Sequence, residues 1–166
     1  MQILKYGNSI LRKKAQRIEK IDERIKKIAE AMISSLRAAK GIGLAANQVG
    51  IAERLCVVDT RRGETKGEII CLVNPKIVSF EGKVSFEEGC LSFPEIYAEI
   101  ERPAQVKVSY KDLKGEARDL VAEGILARVL QHEIDHLNGV LFIDRMSKIK
   151  YLLLSKRLKV LQKENR

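Results

Sequence analysis

The only two histidines of this 166-residue chain stand four positions apart, in Gln131-His132-Glu133-Ile134-Asp135-His136. On an α-helix, side chains at i and i+4 lie one above the other on the same face. The surrounding pattern is helical from about 123 to 138. Ile125, Val129, His132 and His136 share one face, and Leu126, Leu130, Ile134 and Leu137 share an adjoining one. A helix apolar around so much of its girth belongs at the centre of a fold, with other elements packed about it. Asn138-Gly139 is its stop signal. Two imidazoles on one face of such a helix can reach one metal ion. Glu133 leans toward the same opening, close enough to act on a water beside that ion. This is the mechanical content of the H-E-x-x-H pattern.

A catalytic site of this kind needs three protein ligands and one open position. With no third histidine in the chain, the remaining ligand is a carboxylate or a cysteine. Cys56 and Cys71 lie in the apolar runs Leu55-Cys56-Val57-Val58 and Ile69-Ile70-Cys71-Leu72-Val73, which read as buried strands where cysteine acts as a small hydrophobe. Cys90 instead follows Glu87-Glu88-Gly89 and precedes Leu91-Ser92-Phe93-Pro94, in a turn leaving a strand, and is the best placed of the three. The odd number of cysteines argues against a disulfide framework. Nothing near the start reads as a secretion signal, and no stretch is long and apolar enough to span a bilayer, so the expected location is the cytoplasm.

Ile21, Ile25, Ile28, Met32 and Leu36 recur at helical spacing and predict a first helix over 22–39, with Asp22 as N-cap and Gly41 ending it. Strands are expected at 55–60, 69–74, 76–80, 97–101, 105–110 and 116–121, the last two joined by the turn Asp112-Leu113-Lys114-Gly115. A last helix starts near Ser147, with Tyr151, Leu154, Leu158 and Leu161 as its apolar stripe. The expected architecture is one α+β domain over 1–166. In it, short antiparallel strands pack around a central metal-binding histidine helix, with a helix toward each end. The formal charge is +9, and 145–166 holds eight basic residues against one acidic. That clustering favours a polyanionic partner such as RNA or the ribosome; a solvated face is the plainer reading.

Three separated motifs stand in order: Gly41-Ile42-Gly43-Leu44-Ala45-Ala46-Asn47-Gln48, Glu88-Gly89-Cys90-Leu91-Ser92 and Gln131-His132-Glu133-Ile134-Asp135-His136. In these the chain resembles peptide deformylases, which carry G-x-G-L-A-A-x-Q, E-G-C-L-S and H-E-x-D-H in that order. The resemblance extends to Ile10-Leu11-Arg12, to Arg102-Pro103 and to the C-terminal helix. Gly7 stands where many members have proline, and the stretch from Phe93 to Tyr97 follows one of the family's variants.

The resemblance implies removal of the formyl group from the N-terminal methionine of nascent polypeptides. Cys90, His132 and His136 would hold the metal, Fe²⁺ in the cell with Zn²⁺, Ni²⁺ or Co²⁺ able to replace it. A hydroxide on that metal would attack the formyl carbon, with Glu133 as general base and then acid. The Gln48 side-chain amide and the Leu91 backbone N–H would receive the oxyanion. The peptide would lie extended along a strand edge, with Gly41, Gly43 and Gly89 small where backbones pass closely. Ile42, Phe86, Leu126 and Val129 would wall the methionine pocket. Asp135, pointing off the histidine face, would pair with Arg102 and brace the helix. The chief alternative is an H-E-x-x-H endopeptidase with a Glu or His as third ligand. An RNA-binding module with a structural metal is the second.

Overall fold

The computed structural model describes residues 1–61 and 67–165. The four apolar residues at the start of β2 (Leu55–Asp59) explain the layering. Leu55 and Val57 pack on one side of the sheet, Cys56 and Val58 on the other, and all four are fully buried. A strand that alternates sides and stays apolar throughout is covered on both faces. The cover on one face is α1 (Glu23–Ala38), whose Ile25, Ala29, Met32 and Leu36 meet Leu55, Val57 and Val73. The cover on the other is α2 (Gly124–Leu137), whose Ala127, Leu130, Ile134 and Leu137 meet Cys56, Val58, Leu72, Val106 and Val108.

The sheet between them has the order β1-β2-β3-β6-β7 and is antiparallel throughout. Its other strands are β1 (Gly43–Ala45), β3 (Ile69–Glu81), β6 (Gln105–Lys111) and β7 (Ala117–Glu123). A second, two-stranded ribbon pairs β4 (Val84–Cys90) with β5 (Phe93–Arg102). Its buried residues Phe93, Ile96, Ala98 and Ile100 form a third cluster with Leu11, Phe142 and Leu158 of α3 (Lys148–Glu164). The mixed fold of three helices with antiparallel sheets agrees with the α+β expectation.

Several local expectations hold and others shift for identifiable reasons. Asp22 caps α1, accepting from the Ile25 N–H at 3.0 Å, and Gly115 takes a positive φ of 87° in the β6–β7 turn. The strands expected at 69–74 and 76–80 are one strand, because Pro75 falls at a register shift between Val73 and Lys76, where a missing N–H costs no ladder bond. Gly41 is not the left-handed residue that ends α1. Lys40 takes that conformation (φ 52°), with Lys40 N donating to Arg37 O and Gly41 N to Leu36 O, the paired bonds of a Schellman cap. On α3, Leu154, Leu158 and Leu161 do pack on the ribbon, but Tyr151 is 41% exposed. Ile149, Leu152 and Leu153 also face outward beside the basic residues. Arg166, counted in the basic tail, lies outside the described residues. Among the described residues no helix is long and apolar enough to cross a membrane.

Gly7 has a structural account. Its φ is 123°, and a Cβ there would stand 2.5 Å from the Gln162 backbone oxygen near the end of α3. Neither proline nor alanine fits that conformation without moving the helix. Gly7→Ala should therefore lower stability by about 1–3 kcal/mol in denaturant unfolding and speed amide exchange in α3. An unchanged midpoint with unchanged exchange would refute the close-packing account.

Candidate active site

The two sheets leave a cleft of about 640 Å³ between them. One lip carries Ile42 and Gly43 at β1, the other Phe86 to Cys90 on β4, and the floor is the Ile125, Arg128, Val129, His132 and Glu133 face of α2. Cys90 is the last residue of β4. A register shift after Gly89 pairs Cys90 with Phe93, although Gly89 pairs with Tyr97. Bulges of this kind re-aim a side chain, and here the Cys90 Sγ comes within 3.3 Å of His136 Nε2. Ligand atoms of Cys90, His132 and His136 lie within 4.8 Å of one another. One thiol sulfur and two imidazole nitrogens suit a borderline divalent ion, and three ligands leave a position open.

The surroundings fit such an ion. Burial holds the His136 imidazole well below its usual range, hence neutral and able to offer a lone pair. Burial works the same way on His132, but its contacts with Cys90 and Glu88 outweigh burial and raise it to about 10. His132 Nδ1 lies 3.2 Å from Glu88 Oε2, which sets the ring's orientation and leaves Nε2 for a ligand. Burial pushes the Glu133 carboxyl up to about 7. Its Oε2 and the His136 Nδ1 are buried without a hydrogen-bond partner among the described residues. A buried carboxylate oxygen left unpaired beside a cleft has a lone pair free to accept from a water or another polar group there.

Gln48 follows β1 in a 3₁₀ turn (Ala46–Val49) and is almost wholly buried. Its Oε1 accepts from Ala45 N at 2.9 Å, which fixes the amide so that Nε2 faces Cys90 Sγ (3.5 Å) and Ser92 Oγ (3.2 Å). Leu91 sits in the turn after Cys90 and lines the same cleft. The glycines are small for steric reasons. A Cβ on Gly43 would stand 2.4 Å from Glu133 Oε1, and one on Gly89 2.6 Å from the Tyr97 ring. Ile42, Phe86, Gly89 and Val129 also line the cleft. Leu126 does not. The 100° step per residue turns it away from the Ile125–Arg128–Val129–His132 face, and it packs instead on the core between α2 and the sheet. Its neighbour Ile125 lines the cleft instead.

Glu88 and Arg128 were given no role from the sequence. Arg102 Nε and Nη2 donate to the two oxygens of Glu88 at 2.6 and 3.0 Å, and its Nη1 donates to Asp135 Oδ2 at 2.7 Å. Arg128 Nη1 adds a bond to Glu88 Oε1 at 2.5 Å, and Arg145 closes on Asp135 through two bonds of 2.6 Å. Burial opposes charge on Glu88, yet the His132 and Arg102 bonds outweigh it and hold the carboxyl down to about 2. The expected Arg102–Asp135 pair is therefore part of a larger buried network. The sequence carried one signal for it. Glu88 stands two residues before Cys90 on a strand, and Arg128 stands one helical turn before His132.

The polypeptide deformylase family model matches residues 1–151. The chain belongs to the polypeptide deformylase family. The peptide deformylase of Thermotoga maritima is 47% identical over 92% of this chain and 91% of its own length. That of Prochlorococcus marinus (strain AS9601) is 46% identical over 89% of this chain and 74% of its own. The crystal structure of Arabidopsis thaliana peptide deformylase 1B in complex with an inhibitor superposes with a TM-score of 0.93 at 43% identity, covering 99% of this chain and 91% of that one. Peptide deformylase from Synechococcus elongatus in complex with actinonin superposes with a TM-score of 0.87 at 42% identity, over 94% and 86% of the two chains.

Arg102→Ala would leave Glu88 and Asp135 as buried anions deprived of their shared cation. Breaking a buried ion pair from one side costs about 3–5 kcal/mol, and loosening the group behind a ligating histidine costs about 10–100-fold in metal affinity. Unfolding curves and metal titration should show both losses. Normal metal binding with full activity would show that the network does not brace the histidine helix.

Proposed function

We propose that this deformylase removes the formyl group from the N-terminal methionine of newly made polypeptides and releases formate. The observation that carries the reading is the gathering of Cys90 and His132, which line the cleft, with His136 buried behind them, beside the unpaired buried oxygen of Glu133. The three ligands belong on a central metal-binding helix and the strand that leans on it. Cys90, His132 and His136 would hold a divalent ion, which would supply Lewis-acid chemistry and make hydroxide available near neutral pH. We take it to be Fe²⁺ in the cell, with Zn²⁺, Ni²⁺ or Co²⁺ as substitutes, since the ligand types admit all four.

The chain's own residues supply the rest. Glu133 takes a proton from the attacking water and returns it to the methionine nitrogen as the C–N bond breaks, so that formate and a free amine leave. The tetrahedral oxyanion on the formyl carbon needs donors aimed at it beforehand. Gln48 Nε2 and the Leu91 N–H fill that role. The extended peptide runs between the β1 lip at Ile42 and Gly43 and the β4 lip at Gly89, where main-chain bonds to a strand edge hold it. Phe86, Ile125 and Val129 line the methionine pocket. A formyl carbon bears only hydrogen beside its oxygen and nitrogen, so a narrow site admits it and excludes internal peptide bonds. A cytoplasmic enzyme of this kind meets its substrate at the ribosome, and the basic, partly apolar outer face of α3 is the surface suited to rRNA there.

The thiol ligand separates this reading from the endopeptidase alternative. Anaerobically prepared, iron-loaded protein should release formate from a short N-formyl-methionyl peptide. Glu133→Ala should bind metal and lose at least ~100-fold in rate, as removal of a general base does. Cys90→Ala should lose the metal itself. A Cys90→Ala protein that kept its metal, with cleavage of internal bonds, would favour the endopeptidase.

A further inference from the structure

The two oxyanion donors reach the cleft from different sheets. Gln48 follows β1 of the five-stranded sheet, and Leu91 lies in the two-residue turn that joins β4 to β5. Among the described residues these sheets share no strand pair. Something else must hold the donors in register, because a displacement of about 1 Å can cost about 100-fold in rate.

The segment that does so is the arm Leu4–Lys5–Tyr6. Leu4 N donates to the Gln48 carbonyl at 2.8 Å. Lys5 Nζ donates to the Leu91 carbonyl at 2.7 Å. Tyr6 N donates to the Ser92 carbonyl at 2.9 Å, and the Tyr6 ring stacks on Phe93 with centroids 4.8 Å apart. Three successive residues therefore take the carbonyl of Gln48 and both carbonyls of the turn. Ser92 completes the link, its Oγ accepting from Gln48 Nε2. The middle bond differs from the other two. It is made by a side chain, it is charge-assisted and so stronger than a neutral one, and Lys5 is among the residues that line the cleft.

We propose that Lys5 is a positioning residue for this reaction: its ammonium anchors the Leu91 carbonyl and, with the flanking main-chain bonds of Leu4 and Tyr6, holds the Leu91 N–H and the Gln48 amide as one preorganised pair. The inference rests on the deformylase reading of Gln48 and Leu91. The main-chain bonds of Leu4 and Tyr6 do not depend on the Lys5 side chain, so loss of the ammonium leaves the arm on Gln48 and Ser92 and frees only the Leu91 carbonyl. The transition state should suffer more than ground-state binding, since the donors meet the oxyanion only as it forms.

The test is steady-state formate release by metal-loaded holoenzyme from an N-formyl-methionyl tripeptide. Lys5→Met should lower kcat about tenfold with KM changed by less than about twofold, at wild-type metal content and thermal midpoint. Lys5→Arg, which keeps the charge and a donor, should recover most of the rate. Wild-type kcat in Lys5→Met overturns the inference. So does a raised KM alone, which would make Lys5 a substrate contact. A loss of rate that only follows loss of metal, or no rescue by arginine, overturns it as well. Formate release by the wild type with no Lys5 effect would overturn this inference alone, whereas no release by the wild type would overturn the deformylase reading with it.

Discussion

The cleft depends on a network of buried charge with one guanidinium at its centre. Arg102 ends β5, and its five donors in a rigid fork reach both Glu88 on β4 and Asp135 on α2. Arg128 and His132 of the histidine helix also reach the ribbon at Glu88, so the guanidinium of Arg102 is one of several charged links between the cleft floor and its β4 lip. The charge-assisted bonds that cross between them fix how the thiol of Cys90 approaches the imidazoles. Such a network has little to recommend it as a source of stability alone, since well-packed apolar residues would serve as well. Its value lies in direction: carboxylates and guanidinium groups accept few geometries, and a ligand set needs one.

The glycines of the cleft follow the same logic by subtraction. At Gly43 the carboxylate of Glu133 and the Val129 side chain occupy the space a Cβ would need, and at Gly89 the Tyr97 ring does. The positions are small because side chains that line the cleft press against them. The N-terminal arm adds a third device of positioning, tying donors of the two sheets together through carbonyl oxygens that strand pairing leaves unused. Buried charge, close backbone approach and the arm all reduce the freedom of groups that must be in place before reaction.

Much of this was legible early. The H-E-x-x-H spacing placed both imidazoles on one helix face, and α2 carries them so. The caps at Asp22 and Gly139 and the turn at Gly115 followed from local chemistry and are present. Cys90 was separable from Cys56 and Cys71 because its neighbours lack an apolar run. Leu126 was misplaced because residues 125 and 126 are both apolar, and hydrophobicity does not say which of two adjacent faces meets a cleft and which a sheet. Tyr151 was misplaced because α3 is apolar at 149 and 151–154, too broadly for one stripe to stand out. Glu88 and Arg128 went unassigned because a charged residue reads as surface until a partner from a distant segment is known.

The sequence by itself determined the chemistry available: two imidazoles paired on one helix face, one carboxylate between them, and one thiol, Cys90, set apart from the two in apolar runs. These follow from residue type and from periodicity over a few turns, which local backbone geometry enforces. Only the tertiary structure decided which groups serve which. The register shift at Gly89 brings the thiol to His136, the Arg102 fork joins elements 33 residues apart in sequence, and the arm at Leu4–Tyr6 reaches a turn 86 residues away. Those contacts arise when two sheets and a helix are packed together, and no pattern within a short window of sequence encodes the angle at which they meet.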